Sequence, residues 1–239
     1  MKSTILIIAH NEEEYIDQCL QSVISQSQKP EEIILIAHNC TDQTAKIAKK
    51  YLQVKVLEYN GPSGAVFSRE YGLNISKGEI IVCTDGDTVV SHNWFESLYN
   101  ILENDTTISG VGSAVYVKNN FLINLFNLKY FYFDRIFGFL KPVNKFCFFG
   151  ASFALRKSDY IKIGKLEKLI KNKNSIGLEA WPDDFWLSLK LQSIGRVVFD
   201  KKSSVVTYAK EKGLRQSVAR LFRNMRDSKR LSKYFNNIN

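Results

Sequence analysis

Glu79-Ile80-Ile81-Val82-Cys83-Thr84-Asp85-Gly86-Asp87 is an apolar run that ends on two carboxylates one residue apart. The run reads as a buried strand. Successive strand side chains point to opposite faces, so Asp85 and Asp87 are aimed at the same region of space. Hard carboxylate oxygens suit Mg2+ or Mn2+, ions usually held by one or two carboxylates together with substrate phosphates. Gly86 lets the backbone bend and approach a ligand closely. An acidic, glycine-containing turn is also ordinary loop chemistry. The surroundings of these residues decide between the two readings.

Upstream, strand-like and helix-like segments alternate. Ser3–Ala9 is a short apolar run. Asn11 can cap the helix that follows, with Glu14 completing a capping box. Tyr15, Ile16, Cys19, Leu20, Val23 and Ile24 recur there at helical spacing. Glu32–Ala37 reads as a second strand. Thr41-Asp42 opens a second helix carrying Ala45, Ile47, Ala48, Tyr51 and Leu52, and Val54–Leu57 is a third strand. Ala65–Ser76 is a third helix and Glu79–Thr84 the fourth strand. This order implies an α/β fold, a mostly parallel sheet with helices on both faces. Ligands of such sheets gather beyond the carboxyl ends of the strands, where Asp85 and Asp87 lie.

Downstream, Asn93–Glu103 reads as a helix and Ser109–Val117 as a strand. Phe121–Leu140 is dense in Phe, Leu, Ile and Tyr but carries Lys129, Asp134 and Arg135. Charges at mid-helix cost about 2.5–3.5 kcal/mol each on insertion scales, so a bilayer span is disfavoured. A helix or hairpin lying on the protein or in a membrane interface fits better. Lys145–Leu155 reads as a strand, Lys168–Ser175 as a Lys/Asn-rich loop, Asp183–Ile194 as a helix, and Arg196–Phe199 and Ser204–Thr207 as short strands. Gly213–Tyr234 reads as a basic amphipathic helix with Leu214, Val218, Leu221, Phe222 and Met225 on one stripe.

The 239 residues, 45% apolar and 13% aromatic, suit a well-cored globular chain. No internal repeat or low-complexity linker divides it, so a single domain over 1–239 is expected. The four cysteines (Cys19, Cys40, Cys83, Cys147) form no Cys-x-x-Cys pair and read as reduced cytosolic residues. Asn11-Glu12-Glu13-Glu14 closes the first apolar run too early for a secretory signal. The net charge of +9 points to an anionic partner: nucleic acid, an anionic membrane surface or a phosphorylated ligand. From Lys210 onward Lys and Arg far outnumber acids, which favours a localised basic surface.

Several segments in order resemble one family. Ala9-His10-Asn11-Glu12 follows the first strand. Next come Ile33–Ala37 with Asn39-Cys40-Thr41-Asp42, Gly64 through Ser68-Arg69, and Lys77-Gly78-Glu79 leading to Asp85-Gly86-Asp87. Phe149-Gly150-Ala151-Ser152 and Trp181-Pro182-Asp183-Asp184 complete the set. The chain resembles the family 2 glycosyltransferases from Ser3 to about Phe199. The resemblance implies a GT-A, Rossmann-like fold, with a nucleotide-sugar-binding half over 1–117 and an acceptor and catalytic half over 118–207. A basic C-terminal helix over 208–239 then forms an acceptor-side extension.

It also implies roles. Asp85 would contact the ribose and support the metal, while Asp87 would reach a Mg2+ or Mn2+ bridging the donor diphosphate. Asp184 would be the general base; Asp183 would orient the acceptor or cap its helix, and capping alone is the competing reading for both. Ala9, Asn11, Glu12 and the region of His38 would receive the nucleotide. The family commonly has two acids where this chain has Ala37-His38, so the base contact is open: His38 replaces it or is a partly exposed loop residue. Arg69 would approach the base or diphosphate, with a salt bridge to Glu70 or another surface acid as its alternative. Gly150 and Ser152 would line the cleft between donor sugar and acceptor. Trp181 would stack on a sugar or lipid acceptor, or pack in the core. His10 and His92 read as ordinary residues.

The expected activity is therefore inverting, metal-dependent sugar transfer from a nucleotide donor to a glycan or lipid-linked acceptor at the cytoplasmic face of a membrane. Gln216-Ser217-Val218-Ala219-Arg220 does not match the Gln-x-x-Arg-Trp of processive synthases, so single transfer is expected. A sugar-1-phosphate nucleotidyltransferase would want a Gly-rich basic loop where Glu12-Glu13-Glu14 stand. A nucleic-acid-binding protein using Arg220–Lys233 is the alternative from another class, resting on a basic helix alone.

Overall fold

A computed structural model describes residues 1–118 and 148–208, together with 226, 227, 230, 231, 233 and 234. The aromatic stretch Phe121–Leu140 lies outside the described residues, as does most of Gly213–Tyr234. In chain order the elements are β1 (Ser3–Ala9), α1 (Ile16–Ile24), β2 (Glu32–His38), α2 (Thr44–Ala48), β3 (Lys55–Tyr59), α3 (Ala65–Ile75), β4 (Ile80–Asp85) and β5 (Thr88–Val90). They continue with α4 (Trp94–Asn104), β6 (Ile108–Val117), β7 (Phe153–Arg156), α5 (Lys157–Lys162), α6 (Lys165–Ile176), α7 (Asp183–Gln192) and β8 (Arg196–Thr207).

The strands form one eight-stranded sheet in the order β3-β2-β1-β4-β7-β6-β8-β5. The first four pair in parallel, as do β6 and β8. β7 runs antiparallel to both β4 and β6, and β5 runs antiparallel to β8. The central strands are apolar throughout because both faces are covered. Ile5, Ile7, Ile33, Leu35, Ile80 and Val82 point into a core closed by Leu20 and Val23 of α1 and by Trp94, Phe95 and Leu98 of α4. Their neighbours Leu6, Ile8, Ile34, Ile36, Ile81 and Cys83 point into a second core closed by Leu73 of α3, Leu166 and Leu169 of α6, and Trp186 and Leu187 of α7. Each fully buried Leu or Ile contributes about 1.5–3 kcal/mol.

Four expectations need correction. Residues 168–175 are helical, within α6. Leu166 and Leu169 are three apart and fully buried, and glycines in the left-handed region flank the helix at 164 and 177, so the Lys and Asn content marks only its solvent side. Arg196–Phe199 and Ser204–Thr207 are one strand, β8, whose register shifts opposite Ser113 and Ala114. Asp200 closes that bulge by accepting the Lys202 and Ser203 amides at 2.8 and 3.1 Å. Of the expected Lys145–Leu155 strand, the described residues begin at 148, and among them the strand is Phe153–Arg156, preceded by a Phe149–Ser152 bridge. Finally, Asn11 does not cap α1: its φ is 56°, and its side-chain oxygen accepts the Thr41 amide at 2.7 Å. The carbonyl of Glu12 receives the first helical amides instead.

Among the described residues no helix is long and apolar enough to cross a membrane. Cys19, Cys40 and Cys83 are free thiols.

Candidate active site

β4 delivers Asp85 to the carboxyl edge of the sheet, and the turn through Gly86 and Asp87 leads into β5. The Gly86 amide donates to the Ile8 carbonyl at 2.8 Å. A Cβ at Gly86 would come within 2.7 Å of the Ala9 Cβ, so β1 and this turn are packed too closely for any side chain. Ala9 thus supports the turn. Asp87 accepts from the Thr88 hydroxyl at 3.1 Å, and its carbonyl accepts the Tyr208 amide at 2.8 Å.

Arg69 stands at the centre. It lies on α3, is 3% exposed, and donates to Asp85 at 3.0 Å and to Asp183. Glu70, the surface partner considered for it, instead accepts from Tyr160. Arg69 therefore joins the end of β4 to the start of α7. Burial opposes its charge, but Asp183 and Asp85 outweigh that and keep the guanidinium protonated. Gly150 closes over it, since a Cβ there would lie 2.9 Å from Nη2.

Asp184 is half-buried beside this cluster. One carboxylate oxygen accepts the Gly150 amide at 3.0 Å and the other the Phe185 amide at 2.7 Å. It therefore serves its helix terminus and ties it to Gly150 beside the Arg69 cluster. Burial pushes its carboxyl up, and Asp183 next to it pushes the same way. Burial likewise raises Asp85 to about 7 against the pull of Arg69. The side chain keeps 32% of its surface open, which lets solvent temper that rise.

The loops after β1 and β2 are tied to each other. Besides the Asn11–Thr41 bond, the Glu12 amide donates to the Thr44 hydroxyl at 2.7 Å and the Glu13 amide to Asp42 at 3.1 Å. His38 is 4% exposed, and its Nε2 lies 2.9 Å from the Pro62 carbonyl. It is a buried residue anchoring the 60–62 loop, not a partly exposed one, and burial lowers its pKa. Ser152 is fully buried, accepting from Trp94 Nε1 at 2.8 Å and lying 2.5 Å from the Ser113 hydroxyl. Its side chain is spent on buried bonds to Trp94 and Ser113, not presented to solvent. Trp181 is half-buried, edge-on to Phe67 with Lys173 over its ring.

Sequence reasoning missed the group beside Asp87. The Tyr15 and Tyr208 rings lie 5.0 Å apart, and Lys118 donates to the Tyr208 hydroxyl at 3.2 Å. No spacing signal marks this contact between the start of α1 and the ends of β6 and β8.

Among the described residues no three His, Cys, Asp or Glu side chains gather as a metal cluster. Asp87 and Asp85 nevertheless offer the hard oxygen donors that Mg2+ or Mn2+ takes when phosphate oxygens complete its shell. A cavity of about 380 Å³ bounded by Met1, Gly78, Glu79 and Arg156 lies at the opposite, amino-terminal edge of the strands.

Residues 4–164 match the family described as Glycosyl transferase family 2, and the chain belongs to that family. Glycosyltransferase GlyG of Streptococcus pneumoniae is 27% identical over 110 residues, covering 44% of this chain and 36% of that protein. The chain thus spans about a third of that relative's length. Mannosyltransferase PcManGT from Pyrobaculum calidifontis, in complex with GDP-Man and Mn2+, superposes with a TM-score of 0.67 at 17% identity, over 90% of this chain and 59% of that one. TarS of S. aureus in complex with UDP-GlcNAc gives a TM-score of 0.63 at 19% identity, over 91% and 61%. The fold is GT-A, as the resemblance implied.

Proposed function

We propose that this chain transfers a sugar from a nucleoside-diphosphate donor to an acceptor hydroxyl with inversion at the anomeric carbon. The observation that carries the reading is the cluster of Asp85, Arg69, Asp183 and Asp184 at the carboxyl edge of a GT-A sheet. Relatives in complex with GDP-Man and Mn2+ or with UDP-GlcNAc support the donor class. Asp87, with Asp85, would hold the divalent cation, which when bound neutralises charge on the departing diphosphate. Asp85 would also contact the ribose. Asn11, Glu12 and Ala9 shape the nucleotide end, and His38 acts there by fixing the 60–62 loop. In the transfer, Asp184 takes the acceptor proton as that oxygen bonds to the anomeric carbon and the bond from carbon to phosphate oxygen breaks. Arg69 and Asp183 hold the geometry.

The test is a panel of nucleotide sugars read by Mn2+-dependent turnover and by thermal stabilisation, since a donor that binds the native state raises Tm by mass action. Asp87→Ala is expected to remove both the Mn2+-dependent stabilisation and turnover while the far-ultraviolet spectrum stays native. Retained Mn2+-dependent turnover would sink the assignment.

The acceptor is proposed to be a glycan or lipid-linked molecule at an anionic, cytoplasmic membrane face. The basic sequence Arg215, Arg220, Arg223, Lys229 and Lys233 supports this, at about 1 kcal/mol per residue near an anionic leaflet. Arg226 and Arg230 are kept out of the test, because both also contact the 177–180 link through Glu179 or Gly177. Changing Arg215, Arg220 and Arg223 to Glu is expected to abolish low-salt sedimentation with anionic vesicles. A native chain that stays in the supernatant there would favour a soluble acceptor.

A further inference from the structure

The connection that delivers the candidate base is short. α6 ends at Ile176, Gly177 turns in the left-handed region with φ 73°, and α7 begins at Asp183. Between them Leu178 is buried, while Glu179 is exposed and Ala180 half-buried. Nothing in the composition of this link explains how it is held. The answer lies nearly fifty residues further along the chain.

Asp227 is fully buried. Its two carboxylate oxygens accept the Ala180 amide at 2.7 Å and the Glu179 amide at 3.2 Å. A buried carboxylate is tolerated when several donors meet it, and bonds to a charged acceptor are stronger than neutral ones. Arg230 adds a third tie, donating to the Gly177 carbonyl at 2.5 Å and lying 3.5 Å from Asp227. Leu231 is fully buried in the core that also holds Trp186 and Leu187 of α7, with Trp181 and Phe185 packed against it. The pairs of Arg226 and Arg230 with Glu179 are exposed and contribute little. The buried acid and the leucine hold the contact.

We propose that Asp227 is a positioning residue for transfer: it fixes the 177–182 link and thereby the entry of Asp183 and Asp184 into the cleft. The proposed donor contacts lie on β1, α3 and β4, whereas Asp227 accepts from Glu179 and Ala180 of the link and pairs with Arg230. Arg69 keeps its tie to Asp85 whatever happens to the 177–182 link, so Asp227 bears on the transfer step more than on donor binding. The kinetic part of this inference rests on the glycosyl-transfer reading above; the structural part does not.

Amide hydrogen exchange and steady-state kinetics on the full chain test it together, with Arg226→Gln as the control for a surface pair. In Asp227→Ala, exchange at Glu179 and Ala180 is expected to quicken about tenfold or more, the scale of a lost bond to a charged group, while β1 and β4 stay protected. Because small misplacement of a reacting group is costly, kcat should fall about 10- to 100-fold with donor KM within about twofold. Asp227→Asn keeps one acceptor oxygen and should recover most of kcat, with one of the two amides still slow. If Asp227→Ala does not fold, Asp227→Asn is the variant read, and one fast amide is the expected result. Unchanged exchange at both amides overturns the proposal. So does native kcat in Asp227→Ala, or a rate that falls only with the folded fraction. A native chain without turnover on any donor overturns the glycosyl-transfer reading instead, and exchange still decides the role of Asp227.

Discussion

Asp184→Asn is expected to bind nucleotide sugar as the native chain does and to transfer about 10²–10⁴-fold more slowly, the usual contribution of a general base. The substitution keeps the planar shape and one carbonyl oxygen. That oxygen can still accept either the Gly150 or the Phe185 amide, the two donors that hold the native carboxylate. The amide group then faces the other donor, a mismatch costing about 1–3 kcal/mol of stability. What it cannot do is take a proton. Asp85, Asp87 and Arg69 are untouched, so thermal stabilisation by the donor should persist while kcat collapses. Asp183→Asn is the comparison: it weakens the tie to Arg69 but leaves Asp184 intact. If Asp183→Asn is the inactive variant and Asp184→Asn is not, the two roles are exchanged.

Arg69→Met should be the most destabilising single change at the site. Methionine fills much of the same space but leaves Asp85 and Asp183 with no cation between them. Asp183 is 5% exposed, and removing one partner of a buried pair costs about 3–5 kcal/mol. The open third of Asp85 places the expected loss at the lower end of that range. A urea midpoint at neutral pH measures it. Arg69→Lys should fall between: a compact ammonium keeps the charge but cannot fork to two carboxylates as a planar guanidinium does. Native stability in Arg69→Met would mean that the two acids are balanced by something other than Arg69.

The parallel half of the fold was legible because its physics is local. Ile5 and Leu6, Ile33 and Ile34, and Ile80 and Ile81 each send alternate residues into opposite cores, and a strand covered on both faces leaves an unbroken apolar run. The motifs placed Asp85, Asp87, Asp183 and Asp184 at the cleft edge for the same reason: each sits where an element begins or ends. Where the sequence misled, composition hid the pattern. Helix α6 shows solvent a row of Lys and Asn, and its two buried leucines are easily overlooked. The polar Asp200-Lys201-Lys202-Ser203 looked like an interruption and is a bulge within one strand. The site's pairings were beyond reach because they are long-range. Arg69 meets Asp183 across 114 residues, and Asp227, one acid in a strongly basic segment, meets a backbone that has no sequence signature.

The sheet order carries a consequence for how the chain is made. β7 lies between β4 and β6, although both of those strands precede it in the sequence. During synthesis β4 and β6 emerge with a strand-wide gap between them. The gap can be filled only when Phe153–Arg156 arrives and threads its ladder onto both edges at once. Until then Arg69 and Asp85 have no Asp183 to meet. A ribosome paused before residue 153 would hold a half-sheet with two open edges, the condition that invites pairing with a neighbouring nascent chain. The sheet closes later still, when β8 pairs with β6 and β5, and Asp183 reaches Arg69 only after β7 is in place.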